Sequence, residues 1–503
     1  MVSHGAAAGQ SRAARGPLKC VTVPNESAMS VFRPDRARVA HELGATVRLA
    51  LPLIAAQLAA IGSNVIDAVL SGHYSTHVLG AVAVGTNVWS LAVVTGIGLM
   101  MAVPPSVAQL DGAGRRHEVG ALFRQALWLA LGIGVVLWFA ARHASPLFAW
   151  IGVTPDLRAD VDAFLHAISW GAPALTCYFA LRGLSEGLSL TRPSMLFSLG
   201  GLVLLVPLGY VFMYGKLGLP PQGARGCGMA TALVLWLELV AFATYVLRHP
   251  NYRGLGVADR FDRPDWHRLG ELLHVGGPMA VSLVAEAGLF VAVALGISRL
   301  GDTVMASHQV ALNVASLFFM IPLGLAMAIT VRVGNAVGRG DAAGVRYAGF
   351  CGIGLSLVTQ LVSAAVMFGL PHRIAGLYTR QPEVIDLASQ LLLLAGVFQF
   401  SDGIQVASNG ALRGLKDTRV PMAITLFAYW GVGMPVGWWL AFHQGLGARG
   451  MWMGLIAGLS ASAVMLFTRF WRNARRGRWV NAPQPDHSHM TAPVQAGTLP
   501  LDP

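Results

Sequence analysis

Twelve apolar segments of about 20 or more residues alternate with shorter polar stretches along the chain. Each segment is long enough to cross the hydrocarbon core of a bilayer as an α-helix, which takes about 20 mainly apolar residues. The sequence therefore predicts an all-α polytopic membrane protein with twelve transmembrane helices. The predicted helices span residues 45–70, 78–103, 119–141, 162–181, 194–214, 227–247, 271–297, 303–330, 346–369, 386–408, 420–442 and 450–471.

A long internal repeat divides these helices into two equal sets. Residues 52–114 align with residues 278–340, at an offset of 226 positions and without an insertion or a deletion. The offset is 227 further along, where Thr191-Arg192 matches Thr418-Arg419. A repeat this long indicates a duplicated bundle, because solenoid units are only about 20–50 residues long. Identical positions include Pro52 and Pro278, Asn87 and Asn313, Gly98 and Gly324, and Met101 and Met327.

The repeat predicts how the two halves are arranged in the membrane. Six helices per half is an even number, so both halves insert in the same direction. We therefore expect two six-helix bundles related by a pseudo-two-fold axis along the membrane normal. The predicted units are a disordered basic N-terminal tail (1–42), an N-terminal bundle (43–248), a cytoplasmic linker (249–270), a C-terminal bundle (271–472) and a flexible C-terminal tail (473–503).

Composition and charge agree with a membrane protein and predict its orientation. Apolar residues make up 54 % of the chain and charged residues 12 %, against about 25 % charged in soluble domains. Of the 36 Lys and Arg residues, 28 fall on the side of the termini and 8 on the other. This asymmetry predicts that both termini lie in the cytoplasm. We expect the protein in the cell inner (plasma) membrane. It also accounts for the net charge of +12 without a nucleic-acid partner.

The chain lacks the sequence signatures of a cofactor or a nucleotide. Its four cysteines are far apart and show no metal-binding or disulfide spacing, so we expect no metal centre and no cofactor. No Walker A motif occurs, which indicates that ATP does not drive the protein.

Four stretches resemble one transporter family. They are similar to segments of the multidrug and toxic compound extrusion family, in its NorM branch. The stretches are "SNVIDAVLSG" (63–72), the "YGKLGLP" and "GCGMATAL" pair (214–233), "ASHQVALNVASLFFMIPLGLAMAITVRVGNAVG" (306–338) and "FQFSDGIQVASNGALRGLKDTR" (398–419). The likeness covers residues 45–472. It implies alternating-access export of cationic amphiphilic compounds in exchange for protons or sodium ions, by a monomer in the lipid bilayer.

Acidic residues inside predicted membrane helices are functional candidates, because a charge in hydrocarbon is costly. The resemblance implies that Asp67 is a proton site of the first half. It also implies that Glu286 and Asp402 form a cation site of the second half, where sodium could bind as well as a proton. A buried carboxyl group that serves packing alone is the alternative for all three. Glu238 matches nothing in the family, and we predict a packed side chain with a local partner.

The two halves are not copies at these positions. At the 226-residue offset Asp67 meets Val293, and Glu286 meets Ala60, so two equal ion sites are not expected. Phe398 stands where NorM-type members typically have a tyrosine. A phenyl ring offers no oxygen to sodium, which favours proton coupling. We predict that the substrate cavity is lined by Gln57, Asn64, Phe290, Asn313 and Phe398.

Two other functions compete with multidrug export. A lipid or oligosaccharide flippase of the same superfamily would show basic residues in its cavity, whereas the predicted intramembrane charges are mostly acidic. A membrane hydrolase could use Ser185, which lies in a G-x-S-x-G sequence. That motif requires a strand before the serine, and here a membrane helix precedes it. We therefore expect no enzyme. His308 is expected to position its helix through a hydrogen bond.

Overall fold

The computed structural model describes residues 35–146, 148, 154–259 and 262–477, and most of them are helical. No β-strand occurs within these residues. Eleven helices are long and apolar enough to cross a membrane, and a pair of helices bent by 45° supplies the twelfth span. The predicted all-α fold with twelve transmembrane helices is thereby confirmed. Residues 1–34 and 478–503, which hold most of the two predicted tails, lie outside the described residues.

Every predicted helix falls within one observed span, and the observed spans are longer. The twelve spans, named α1 to α12 in chain order, are α1 Arg36–Tyr74, α2 Thr76–Gly112, α3 Arg116–Arg142, α4 Pro155–Ser169 with Ala172–Gly187, α5 Arg192–Tyr214, α6 Gly223–Arg248, α7 Trp266–Ser298, α8 Asp302–Gly338, α9 Ala342–Gly369, α10 Pro382–Gly414, α11 Arg419–His443 and α12 Ala448–Arg476.

The first helix begins within the stretch that was predicted to be a disordered tail. Asp35 caps its first turn by accepting a backbone hydrogen bond. Arg38 then pairs with Asp341 at 2.8 Å, and Glu42 pairs with Arg332 of α8. The polar composition of 36–42 therefore reflects ion pairing with other helices. α1 begins and α12 ends on the same face of the molecule, which we call the tail side.

The N-terminal lobe consists of α1 to α6 and the C-terminal lobe of α7 to α12. Glycines at repeat-related positions lie where these two lobes are in contact. α2 packs against α7, and α1 packs against α8. A Cβ atom added to Gly98 of α2 would lie 2.4 Å from the Cα of Ala280. The repeat-related contact joins Gly324 of α8 to Ile54, where an added Cβ would lie 2.9 Å from the backbone nitrogen. Each residue is 226 positions from its counterpart, as a two-fold axis requires.

A second pair of exchanged contacts lies nearer the tail side. An added Cβ on Gly112 would lie 2.3 Å from the carbonyl oxygen of Asn335, and one on Gly338 would lie 2.1 Å from that of Gln109. Gln109 and Asn335 are again repeat-related, so the pseudo-two-fold axis passes between these contacts. The lobes are thus closed against each other on the tail side.

The lobes separate toward the opposite side. Leu91 lies seven residues before Gly98, on the same face of α2 and about 10 Å along the helix. Leu317 is its counterpart, seven residues before Gly324 on α8. These leucines are 54 % and 50 % exposed, whereas the two glycines are buried against the other lobe. The cleft between the lobes therefore opens on the side away from the tails.

Candidate functional site

The acidic group of the N-terminal lobe is enclosed between two helices. Asp67 on α1 is 8 % exposed, and it hydrogen-bonds with the side chains of Cys227 and Thr231, one turn apart on α6. Thr231 donates its hydroxyl proton to the carbonyl oxygen of Cys227 at 3.1 Å. A hydroxyl and a thiol can each donate or accept a hydrogen bond, so these two partners can serve Asp67 in either protonation state. The surroundings of Asp67 therefore allow both the protonated and the ionised carboxyl group.

The acidic groups of the C-terminal lobe lie close enough to interact. Asp402 on α10 is 1 % exposed, and the charge of Glu286 on α7, whose side chain is partly exposed, acts on it. Tyr429 of α11 is fully buried and interacts with both carboxyl groups. Among the described groups, neither Asp402 Oδ2 nor the Tyr429 hydroxyl has a hydrogen-bond partner. Two carboxyl groups and a phenol thus form a polar cluster that could hold a proton or a small cation.

Sequence reasoning missed Tyr429, which supplies a phenol oxygen close to the two carboxyl groups. Phe398, in contrast, has no side-chain oxygen. Phe398 is 5 % exposed and packs edge-to-face with Phe290 and Trp452, at 6.3 and 6.0 Å between ring centroids. Tyr429 lies in a π-helical turn, Phe427–Gly433, within α11. Such turns are frequent at functional sites, but they cannot be predicted from an apolar sequence.

A buried arginine also belongs to the C-terminal site. Arg413 lies at the end of α10, is 6 % exposed and interacts electrostatically with Glu286. Its Nη1 atom lies 3.6 Å from the sulfur of Met101 in the other lobe. Its Nε atom has no hydrogen-bond partner within the described residues. Arg413 therefore links the charge of Glu286 to the contact between the lobes.

The N-terminal lobe has a matching arginine. Arg182 at the end of α4 places Nη2 at 3.7 Å from the sulfur of Met327, the repeat counterpart of Met101. Unlike Arg413, it is neutralised by a 2.6 Å ion pair with Glu186. Both arginines thus bridge the lobes on the tail side, and one of them carries a bound counter-charge.

The five predicted cavity residues do not meet at one place. Asn64 and Asn313 are exposed toward the open end, where Asn313 accepts a 3.3 Å hydrogen bond from a glutamine of its own helix. Gln57 lies deeper and accepts a 2.8 Å bond from Arg182. Phe290 and Phe398 pack on each other in the C-terminal lobe. Their assignment as cavity residues stays a prediction.

His308 holds α8 against α12, as expected. The side chain is buried, and Trp452 donates its indole N–H to His308 Nδ1 at 3.2 Å. The groups described in the structure include no cluster of three or more His, Cys, Asp or Glu side chains that could hold a metal ion. A hydrogen bond between helices is therefore the observed role of this histidine.

The serine of the hydrolase alternative lies in a structural contact. Ser185 is buried inside the second helix of α4, and its hydroxyl is 2.8 Å from the hydroxyl of Tyr252. Burial raises the pKa of Tyr252 to about 12, so this phenol remains neutral and is no base for the serine. No strand precedes Ser185 in the described chain, and the geometry of a nucleophile elbow is not formed.

A duplicated twelve-helix bundle, open on one side and carrying enclosed carboxyl groups in both lobes, defines a secondary membrane transporter. The model of the MatE family matches residues 52–211 and again 278–439, one match for each half. The chain belongs to the MatE family. Members of this family are transporters and not enzymes.

Two bacterial relatives carry names of multidrug resistance proteins. The chain is 48 % identical over 439 residues to the probable multidrug resistance protein NorM of Xanthomonas campestris, covering 87 % of this chain and 96 % of that one. It is 41 % identical over 460 residues to the multidrug resistance protein PmpM of Pseudomonas aeruginosa, covering 90 % and 95 %.

Solved structures of low identity share the fold. A MATE in the bent conformation superimposes with a TM-score of 0.80 at 20 % identity, covering 89 % of this chain and 100 % of that one. The structure of the eukaryotic MATE transporter AtDTX14 gives a TM-score of 0.78 at 21 % identity, covering 88 % and 99 %.

Proposed function

We propose that this protein is a multidrug efflux antiporter of the inner membrane. It exports cationic amphiphilic compounds, as a monomer, in exchange for protons. The observation that carries the proposal is the set of enclosed carboxyl groups, Asp67 in one lobe and Glu286 with Asp402 in the other, beside a cleft that opens on one side only. The names of the NorM and PmpM relatives agree with this activity.

Exchange follows from competition for these carboxyl groups. A bare carboxylate in a low-dielectric lobe is costly, so each group is stable either protonated or beside a cation. A cationic compound stabilises the ionised form and displaces the proton. The two ligands then weaken each other equally, with a coupling free energy of about 1–3 kcal/mol.

Protons rather than sodium ions are the proposed coupling ion. The side-chain partners of Asp67 are one thiol and one hydroxyl, so they offer a sodium ion a single oxygen atom. In the C-terminal lobe, Phe398 offers no oxygen, and the charge of Arg413 acts on Glu286. A proton needs a single carboxyl oxygen, whereas a sodium ion prefers several oxygen ligands, and Phe398 supplies none of them.

The direction of transport depends on the orientation of the tails. With both tails in the cytoplasm, the conformation described here is closed to the cytoplasm and open to the outside. To open inward, the protein must part the contacts of Gly98 and Gly324 with the other lobe. The bridges from Arg182 and Arg413 to the two methionines must break in the same movement.

Transport by the purified protein in liposomes tests the proposal. A fluorescent lipophilic cation is supplied under a pH gradient, a sodium gradient or neither. We expect accumulation of the cation to follow the pH gradient and to stop when a protonophore is added. Accumulation driven by sodium alone would contradict proton coupling, and no accumulation under any gradient would contradict the antiport function.

A further inference from the structure

Glu238 is a carboxyl group in the N-terminal lobe that the proposed exchange does not use. It lies on α6 between Val234 and Phe242, which share its face and are 6 % and 0 % exposed. The Glu238 side chain nevertheless stays partly exposed. Its counterparts in the second half, at offsets of 226 and 227, are Val464 and Met465. The duplicated fold therefore does not require a carboxyl group here.

A glycine on the facing helix makes room for this carboxyl group. A Cβ atom added to Gly201 of α5 would lie 1.7 Å from Glu238 Oε1. The adjacent Gly200 has open space, with nothing within 4 Å of an added Cβ. Gly201 is thus needed for the position of the Glu238 carboxyl group, and Gly200 is not.

Among the residues that the structure describes, no cation is free to neutralise Glu238. The positive charge that acts on it there is that of Arg182, which already pairs with Glu186 at 2.6 Å and donates to Gln57 at 2.8 Å. Within the described residues, Glu238 forms no ion pair of its own. One positive charge, on Arg182, thus acts on two carboxyl groups, Glu186 and Glu238. If both were ionised, one negative charge would remain unbalanced, and it would lie on Glu238.

The remaining groups around Glu238 are neutral. Tyr178 on α4 interacts with it, and the Tyr178 hydroxyl lies 2.9 Å from the hydroxyl of Ser198 on α5. α5 brings Ser198 and Gly201 to this region, and α1 brings Gln57. Within the described part of the chain, the negative neighbour is Glu186, which is paired with Arg182. A proton is therefore the simplest ligand that removes the excess charge.

The position of Glu238 along α6 connects it with Asp67. Thr231, which hydrogen-bonds with Asp67, precedes Glu238 by seven residues, which places both on one face about 10 Å apart along the axis. Because α6 ends on the tail side, Glu238 lies between Asp67 and that side. Two sets of polar groups thus follow one another toward the tail side, first Asp67 with Thr231 and then Glu238 with Arg182, about 10 Å apart along α6.

We propose that Glu238 is a second proton-binding site of the N-terminal lobe, through which protons pass between Asp67 and the tail side. This inference rests on the proposed proton coupling. Glu238 does not bind the exported compound; it accepts a proton from the Asp67 region and releases it toward the tails.

The test compares proton flux and compound binding in variants of the full-length protein in liposomes. Glu238→Gln keeps the shape of the side chain and removes its titration. We expect it to slow compound-driven proton flux at least about tenfold, with the Kd of the fluorescent cation changed less than about twofold. Glu238→Asp restores a carboxyl group and should recover most of the flux. Wild-type flux in Glu238→Gln, or flux in Glu238→Asp as slow as in Glu238→Gln, would overturn the proposal.

Two glycine variants test the position of the carboxyl group. Gly201→Ala displaces the Glu238 carboxyl group and should slow proton flux, whereas Gly200→Ala, its matched control, should not. Equal flux in both variants would also overturn the proposal. Failure of proton coupling itself has a different signature, because the wild-type protein would then move no protons at all.

Discussion

Gly276 offers a sharp test of the closed tail side. It lies on α7, and a Cβ atom added there would lie 2.2 Å from the carbonyl oxygen of Leu99 in the other lobe. Backbone cannot move aside as a flexible side chain can, so Gly276→Ala must push the lobes apart on the tail side. Overpacking of this kind costs about 1–3 kcal/mol. This cost destabilises the conformation described here. The population of the alternative conformation, relative to this one, should therefore rise by about 5–150-fold.

Distances between the lobes at the open end report this shift. Spin labels at Leu91 and Leu317, in a background without the four native cysteines, are measured by electron double resonance in liposomes. We expect Gly276→Ala to transfer population from the long distance to a shorter one, because opening the tail side closes the other end.

The adjacent glycine is the matched control. Gly277 has nothing within 4 Å of an added Cβ, so Gly277→Ala should keep the wild-type distances. If Gly276→Ala also keeps them, the contact with Leu99 does not hold the tail side closed, and the two-lobe reasoning fails.

Three further predictions concern the ion sites and the orientation. Asp67→Asn and Glu286→Gln should each abolish compound-driven proton flux in liposomes at normal membrane abundance, because they remove titration and keep shape; wild-type flux in both would refute their roles. Phe398→Tyr adds an oxygen near the C-terminal site and should raise sodium dependence in the same assay, and unchanged dependence would show that this oxygen does not matter. Cysteines at Leu217 and Leu377, 89 % and 85 % exposed, should react with impermeant thiol reagents on intact cells, whereas a cysteine at Trp266 should not; the reverse pattern would invert the topology.

The sequence alone was sufficient for the fold, because hydrocarbon thickness imposes a regular length on apolar segments and the repeat imposes a symmetry. The exchanged contacts of Gly98 and Gly324 follow that symmetry. The start of α1 could not be predicted in this way. Its first residues are polar, and they are helical because Arg38 and Glu42 find partners on distant helices.

The candidate sites were less accessible to sequence reasoning. Asp67, Glu286 and Asp402 stand out because a carboxyl group is rare within an apolar helix. Tyr429 did not stand out, since a tyrosine in an apolar helix is unremarkable until its position beside two carboxyl groups is known. Glu238 stood out but was predicted to have a local partner. In the structure the nearby cation, Arg182, forms its ion pair with Glu186.

The central claim is that a cationic compound and protons compete for the same carboxyl groups. Proton release on binding of the compound, measured in weakly buffered detergent solution, tests it most directly. We predict release by the wild-type protein that is lost when Asp67→Asn and Glu286→Gln are combined. By reciprocity, the affinity for the compound should rise with pH in the wild-type protein and become independent of pH in the double variant. Unchanged proton release by the double variant, or binding without any release by the wild-type protein, would contradict the account.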